Sequence, residues 1–181
     1  MALKATIFKA ELNIADMDRD HYGDYSLTIA RHPSETDERM MLRVLAFARH
    51  AHERLQFTRG LSADDEPDLW QKDLTDAIEL WIDLGLPDEK RIRKACGRAQ
   101  QVVVYAYGAR TVGPWWEQLA GKLDRFDNLT VYSVEKSASE TLAQLAERSM
   151  RLQFTLQDGA AWVSDDKTNV QVEFEELYSA G

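Results

Sequence analysis

Asp68 follows Pro67, Glu79 lies eleven residues on, Asp83 four beyond that, and Glu38 stands upstream. Arg91 and Lys94 come shortly after these carboxylates. Such residue types suit a divalent cation, because magnesium prefers oxygen ligands: one or two carboxylates, with water and substrate phosphate completing the shell. An ion held between acids on adjacent strands activates water and neutralises a departing phosphate, and a nearby lysine or arginine stabilises the charge that develops. On this reading Asp68 and Glu79 are the magnesium ligands, with Asp83 in support. The reaction would be metal-dependent phosphodiester hydrolysis on nucleic acid. A second reading is a solvated acidic face on an edge strand, neutralised by a basic helix.

Other chemistries lack their residues. No Gly-x-Gly-x-x-Gly or phosphate-cradling Gly-Lys-Ser/Thr pattern occurs, so no nucleotide cofactor is expected, and no Gly-x-Ser-x-Gly elbow points to a serine hydrolase. The histidines are His21, His32, His50 and His52; the last pair lies two apart, where helical side chains diverge, and no cysteine stands near to complete a zinc set.

The carboxylates need elements to hold them. The segment 78-IELWIDLG-85 alternates, which predicts a strand with Ile78, Leu80, Ile82 and Leu84 on an apolar face and Glu79, Trp81 and Asp83 opposite. Before it, 54-RLQFTRG-60 and 67-PDLWQKD-73 read as short extended pieces around the acidic loop 62-SADDE-66, and Trp70 and Trp81 are expected to pack across adjacent strands. After it, Pro87, Asp88 and Glu89 start a helix whose apolar stripe is Ile92, Ala95, Cys96 and Ala99 and whose remaining surface is basic. The run 101-QVVVYAY-107 suits a strand covered on both faces.

Upstream, residues 5–15 and 25–31 alternate as an opening hairpin with Gly23 in the intervening run. Residues 33–51 take helical period with Ser34 as N-cap. Downstream, helices are predicted at 114–126 and 139–149 around a strand at 129–134, then strands at 151–157, 160–164 and 170–177. Trp115 and Trp116 point about 100° apart on their helix, so at most one faces any single ligand and core packing suits the other. The expected architecture is α/β: a mixed sheet flanked by helices, with an N-terminal hairpin and a C-terminal β extension.

Composition bounds the rest. A chain of 181 residues with 44% hydrophobic content suits one domain, residues 1–181. The formal charge of −9 repels polyanions at long range, so nucleic-acid binding requires a local basic patch. One cysteine, Cys96, rules out an internal disulfide and suits a reducing cytosol. No apolar span suits a membrane and no leader pattern opens the chain, so a cytoplasmic protein is expected.

Pro-Asp, a spacer, an acid on an apolar strand and a basic helix together resemble the PD-(D/E)XK nuclease core, whose order of helix, three strands, helix and strand is matched by residues 34–107. That pattern places a lysine two residues after Glu79, where this chain has Trp81; the resemblance implies a substitute from the basic run Lys90, Arg91 and Lys94 of the following helix, Lys94 or Arg91 being the catalytic cation, and Glu38 on the first helix as a further supporting ligand. More specifically, the blocks 1-MALKATIFKAELNIAD-16, 29-IARHPSETDERMMLR-43, 53-ERLQFTRGLSADDEPDLW-70, 79-ELWIDLGLPDEKRIRKAC-96 and 157-QDGAAWVSDDKTN-169 resemble the bacterial YaeQ family. That resemblance implies a cytoplasmic protein with a variant PD-(D/E)XK architecture centred on about residues 34–135. It carries no defined reaction and a link to transcription elongation. It leaves two functions open: a metal-dependent nuclease, or an inactive nuclease fold that binds nucleic acid or a protein partner of the transcription machinery. In the 29–43 block, Ser34, Glu35, Glu38 and Arg39 either line a cleft or serve as caps and surface.

Overall fold

The computed structural model describes residues 4–59 and 65–180. In chain order it begins β1 (Thr6–Asp16), β2 (His21–Arg31), α1 (Asp37–Arg49), β3 (Leu55–Phe57), β4 (Leu69–Lys72), β5 (Ile78–Leu84). It continues α2 (Glu89–Arg98), β6 (Ala99–Ala106), α3 (Val112–Leu119), β7 (Leu129–Val134), α4 (Lys136–Gln144). It ends β8 (Ser149–Gln157), β9 (Ala160–Ser164), β10 (Asn169–Val172), β11 (Phe174–Ser179). No described helix is long and apolar enough to cross a membrane.

The chain divides into two compact units: Met1–His50 with Ser137–Glu173, and Ala51–Lys136 with Phe174–Gly181. Each unit is built on its own mixed sheet, where the sequence suggested one. In the first unit the strand order is β10-β9-β8-β1-β2, with β1 and β8 parallel and the other pairs antiparallel. Strict alternation along β1 buries Phe8, Ala10, Leu12 and Ile14 and leaves Lys9, Glu11 and Asn13 in solvent; β8 repeats the pattern with Met150, Leu152, Phe154 and Leu156 inward. The hairpin turns at residues 17–20, with Asp20 left-handed at φ 53°, whereas Gly23 pairs with Ile14 inside the strand. Asp18 fixes this end by accepting from the Asp158 and Gly159 amides at 2.8 and 2.9 Å.

Helix α1 starts later than the sequence suggested. Thr36, not Ser34, is its N-cap: the Thr36 Oγ1 accepts from the Arg39 amide at 3.1 Å, while Ser34 Oγ bonds the His32 ring at 2.7 Å. Thr36→Ala should therefore lower stability by about 1 kcal/mol, read as a lower urea midpoint at unchanged slope.

The second unit's sheet runs β11-β7-β6-β5-β4-β3, with β5, β6 and β7 parallel and the remaining pairs antiparallel. Val102 to Ala106 in β6 are all buried, as a continuous apolar run predicts. The anticipated order of helix, three strands, helix and strand is observed as α1, β3, β4, β5, α2, β6, with α1 in the first unit and the rest in the second. Residues 60–64, which include most of the predicted acidic loop, lie outside the described residues.

Two predictions fail instructively. The run 170–177 is not one strand: β10 ends at Val172 in the first unit's sheet, and β11 begins at Phe174 and pairs antiparallel with β7 in the second. The helix predicted over 114–126 spans Val112–Leu119 with a 3-10 turn on either side, and α4 begins at Lys136, not Ser139.

Candidate acidic site and basic helix

The acids are positioned by β4 and β5. These strands pair antiparallel with Leu69 opposite Ile82 and Trp70 opposite Trp81, so the two indoles meet edge to face at 6.4 Å, as expected. The pairing then slips between Gln71 and Lys72, which face Leu80 and Ile78, and Glu79 is the extra residue of a bulge. The slip corrects the two-faced strand read from the sequence. Ile78 shares a core cluster with Trp81, Ile92, Ala95 and Val104, and β5 buries Trp81 and Asp83 from the face read as polar while Glu79 stays half-buried. Trp81 and Asp83 are each only 2% exposed.

Asp68 and Asp83 come together at one end of this pair. The Asp68 amide donates to the Ile82 carbonyl at 3.0 Å and its Oδ2 accepts from the Leu84 amide at 2.8 Å, which turns the carboxylate in beside β5. Asp83 is clasped by Arg91, whose Nε and Nη2 donate to its two oxygens at 2.9 and 3.1 Å; Nη2 also donates to the Glu66 carbonyl at 2.8 Å. Burial pushes the Asp83 carboxyl above its ordinary range; Arg91 pulls it back, and the neighbouring Asp68 charge adds to the rise.

Glu79 stands elsewhere. Four residues along a strand from Asp83 is about 13 Å, and Glu79 Oε1 is held by Arg54 at 2.6 Å and Gln71 at 3.3 Å. The predicted pairing of Asp68 with Glu79 on one ion is thus not formed, and Arg54, with no spacing signal, went unnoticed in the sequence. Glu38 belongs to the first unit, where Ser139 Oγ donates to it at 2.8 Å. Of the other polar groups in that block, Glu35 is buried between Arg43, in a two-point contact at 2.6 and 3.0 Å, and Arg39 at 2.9 Å. They form a closed ionic cluster rather than an open lining.

Magnesium does not fit the acids as they are arranged. Both Asp83 oxygens and Asp68 Oδ2 already accept internal hydrogen bonds, Glu79 is bound by Arg54, and among the described residues no three His, Cys, Asp or Glu side chains are grouped to hold a metal. Cys96 offers no nucleophile: burial, then the Asp127 charge, raises its thiol to about 11.

Helix α2 begins as read, with Asp88 Oδ1 accepting from the Arg91 amide at 2.8 Å. Its inner stripe buries Ile92 and Ala95. Of the two predicted cations only Arg91 reaches an acid; Lys94 lies on the outer face, exposed, beside Lys90, Arg93 and Arg98. Trp115 Nε1 donates to the Pro87 carbonyl at 2.8 Å, and Trp115 and Trp116 both pack on the unit's core.

Among the described residues, two mixed sheets and four helices, with an Asp–Arg clasp between β5 and α2, define a mixed α/β protein. The chain belongs to the YaeQ family: the family model described as YaeQ protein matches residues 1–174. It is 54% identical over 172 residues to the uncharacterized protein YaeQ of Escherichia coli (strain K12), covering 95% of each chain. To that of Salmonella typhi it is 53% identical over 173 residues, 96% of each. Its fold matches the crystal structure of YaeQ protein from Xanthomonas axonopodis pv. citri with a TM-score of 0.94 at 48% identity, over 97% of this chain and 99% of that one. The YaeQ structure from Pseudomonas syringae matches with 0.92 at 36% identity over 97% of each.

Proposed function

We propose that this protein is a nuclease-like fold whose acidic motif serves the fold, a hydrolytically silent binding module of a cytoplasmic protein–nucleic-acid assembly such as that of transcription elongation. The observation that carries this reading is the clasp of Asp83 by Arg91: the acid nearest Asp68 is buried and engaged at both oxygens. Trp81, where the PD-(D/E)XK pattern has lysine, agrees with it, because a buried indole carries no positive charge to offset the negative charge developing on a phosphate. The observed element order from α1 to β6 supports the nuclease-like ancestry.

A magnesium-dependent phosphodiesterase is the second reading. It is favoured by the mutual proximity of Asp68 and Asp83, whose repulsion a divalent cation would relieve. The test is a cleavage assay with Mg²⁺ or Mn²⁺ over single- and double-stranded DNA and RNA, comparing wild type with Glu79→Ala and Asp83→Asn. The expected result is no cleavage above buffer for any of the three. Metal-dependent cleavage by wild type that Asp83→Asn or Glu79→Ala removes would establish the enzyme instead.

A further inference from the structure

Helix α2 carries a feature that its packing does not require. With 100° between successive residues, Lys90, Arg93, Lys94, Gly97 and Arg98 share one face, opposite the buried Ile92 and Ala95. All five are exposed. Among the described residues the side chains of Lys90, Arg93 and Lys94 make no hydrogen bond or ion pair. Arg98 keeps its full charge, because its partners are the Asp65 carbonyl at 2.6 Å and the Trp81 ring at 5.1 Å. The acids at the helix start are engaged elsewhere: Asp88 caps the helix and Glu89 pairs with Arg125 at 2.6 Å.

Gly97 lies near the C-terminal end of this face, next to Arg98 and one turn beyond Arg93 and Lys94. A side-chain carbon added there meets nothing within 4 Å, so no neighbour excludes alanine, the better helix former. A glycine in open space beside Arg93, Lys94 and Arg98 removes bulk where another backbone can come close.

We infer that the outer face of α2 is a docking site for the phosphate backbone of a single-stranded nucleic acid, which passes over Gly97 and is held by Lys90, Arg93, Lys94 and Arg98. The inference rests on the binding-module reading above and adds the surface and the partner. Charge complementarity selects a polyanion despite the chain's net −9. A single row about 12 Å long, from Lys90 to Arg98, follows one strand. Binding is then independent of sequence and dominated by counterion release.

The experiment measures binding of a fluorescent oligothymidylate across a salt series. A duplex of equal length and polyglutamate serve as competitors. Three to four phosphate contacts predict a slope of log affinity on log salt of about −2 to −3, or a loss of about 15- to 60-fold between 50 and 200 mM salt. Lys90→Ala/Arg93→Ala/Lys94→Ala should bring the slope to about −1 or shallower. Lys9→Ala/Lys122→Ala/Lys167→Ala makes the same charge change on exposed sites elsewhere and should leave the slope steep. Gly97→Ala is the sharper variant: it should raise the thermal midpoint while weakening binding several-fold, opposite signs that a merely structural glycine does not give. Absence of binding at low salt, an equal effect of the two triple variants, unchanged binding by Gly97→Ala, or tighter binding of duplex or polyglutamate would each overturn the inference. Cleavage in the separate metal assay would overturn the silent reading while leaving this result to stand alone.

Discussion

Arg91→Ala is expected to destabilise the protein by about 3 kcal/mol at neutral pH, with the loss shrinking as pH falls toward about 4. Removing one partner of a buried ion pair leaves an uncompensated charge and costs about 3–5 kcal/mol. The lower figure applies because the Arg91 side chain is 32% exposed, whereas that of Asp83 is 3% exposed. The same change frees the Glu66 carbonyl, so the chain entering β4 loses an anchor as well. The pH dependence follows from Asp83. Its carboxyl already titrates above the ordinary range in the folded protein because it is buried, and without Arg91 it rises further. A folded-state pKa above the unfolded one means that the folded state holds the proton more tightly, so stability is greatest below the unfolded value of about 3.9 and falls as pH rises through the folded one. The gap between variant and wild type therefore opens with rising pH. Urea unfolding of both proteins from about pH 4 to 8 measures it. A constant gap would show that Arg91 acts by packing rather than by neutralising Asp83.

Trp81→Lys restores the lysine that the nuclease pattern places two residues after Glu79, and it should destroy the fold's second core without creating an enzyme. Trp81 is 2% exposed, stacked edge to face on Trp70 and packed with Ile92, Ala95 and Val104. Deleting such a side chain costs about 3–5 kcal/mol through lost burial and the cavity left behind, and an ammonium among these apolar groups adds desolvation. Arg98, whose guanidinium lies 5.1 Å from the Trp81 ring, would face a like charge in its place. Trp81→Phe keeps an aromatic ring and should retain most of the stability. Circular dichroism melts of the three proteins, with the metal-dependent cleavage assay on Trp81→Lys, read both halves of the expectation. A folded, cleaving Trp81→Lys would show that one substitution separates this chain from an active nuclease.

Local chemistry was legible where a residue's role depends on its neighbours in sequence. The alternation of β1, β8 and β9, the continuous apolar run of β6, the Asp88 cap and the basic face of α2 all follow from periodicity and from the orphan amides of a helix start. The Trp70–Trp81 contact was legible too, because adjacent antiparallel strands put their middles together. The acidic site was only half legible. Asp68, Asp83 and Arg91 were singled out as candidates and do meet, but Asp68 and Glu79 do not, since the pairing of Leu69 with Ile82 sets Asp68 beside Asp83 and leaves Glu79 four residues further along β5, a register that no pattern in 78-IELWIDLG-85 announces. Arg54 reaches Glu79 from 25 positions away in the chain, a separation at which sequence carries no spacing rule.

By itself the sequence determined the α/β class, the succession of elements from α1 to β6, the family and the charge segregation of α2, because each rests on composition, on short-range period or on long ordered blocks of identity. Only the tertiary structure decided that the strands form two sheets, that residues 170–177 break at Glu173 to serve both, and that Asp83 of β5 faces inward while Glu79 does not. The physical reason is common to all three. Strand pairing and burial are set by long-range partners, and a carboxylate reads as a metal ligand or as a structural anion according to whether water or an arginine lies against it.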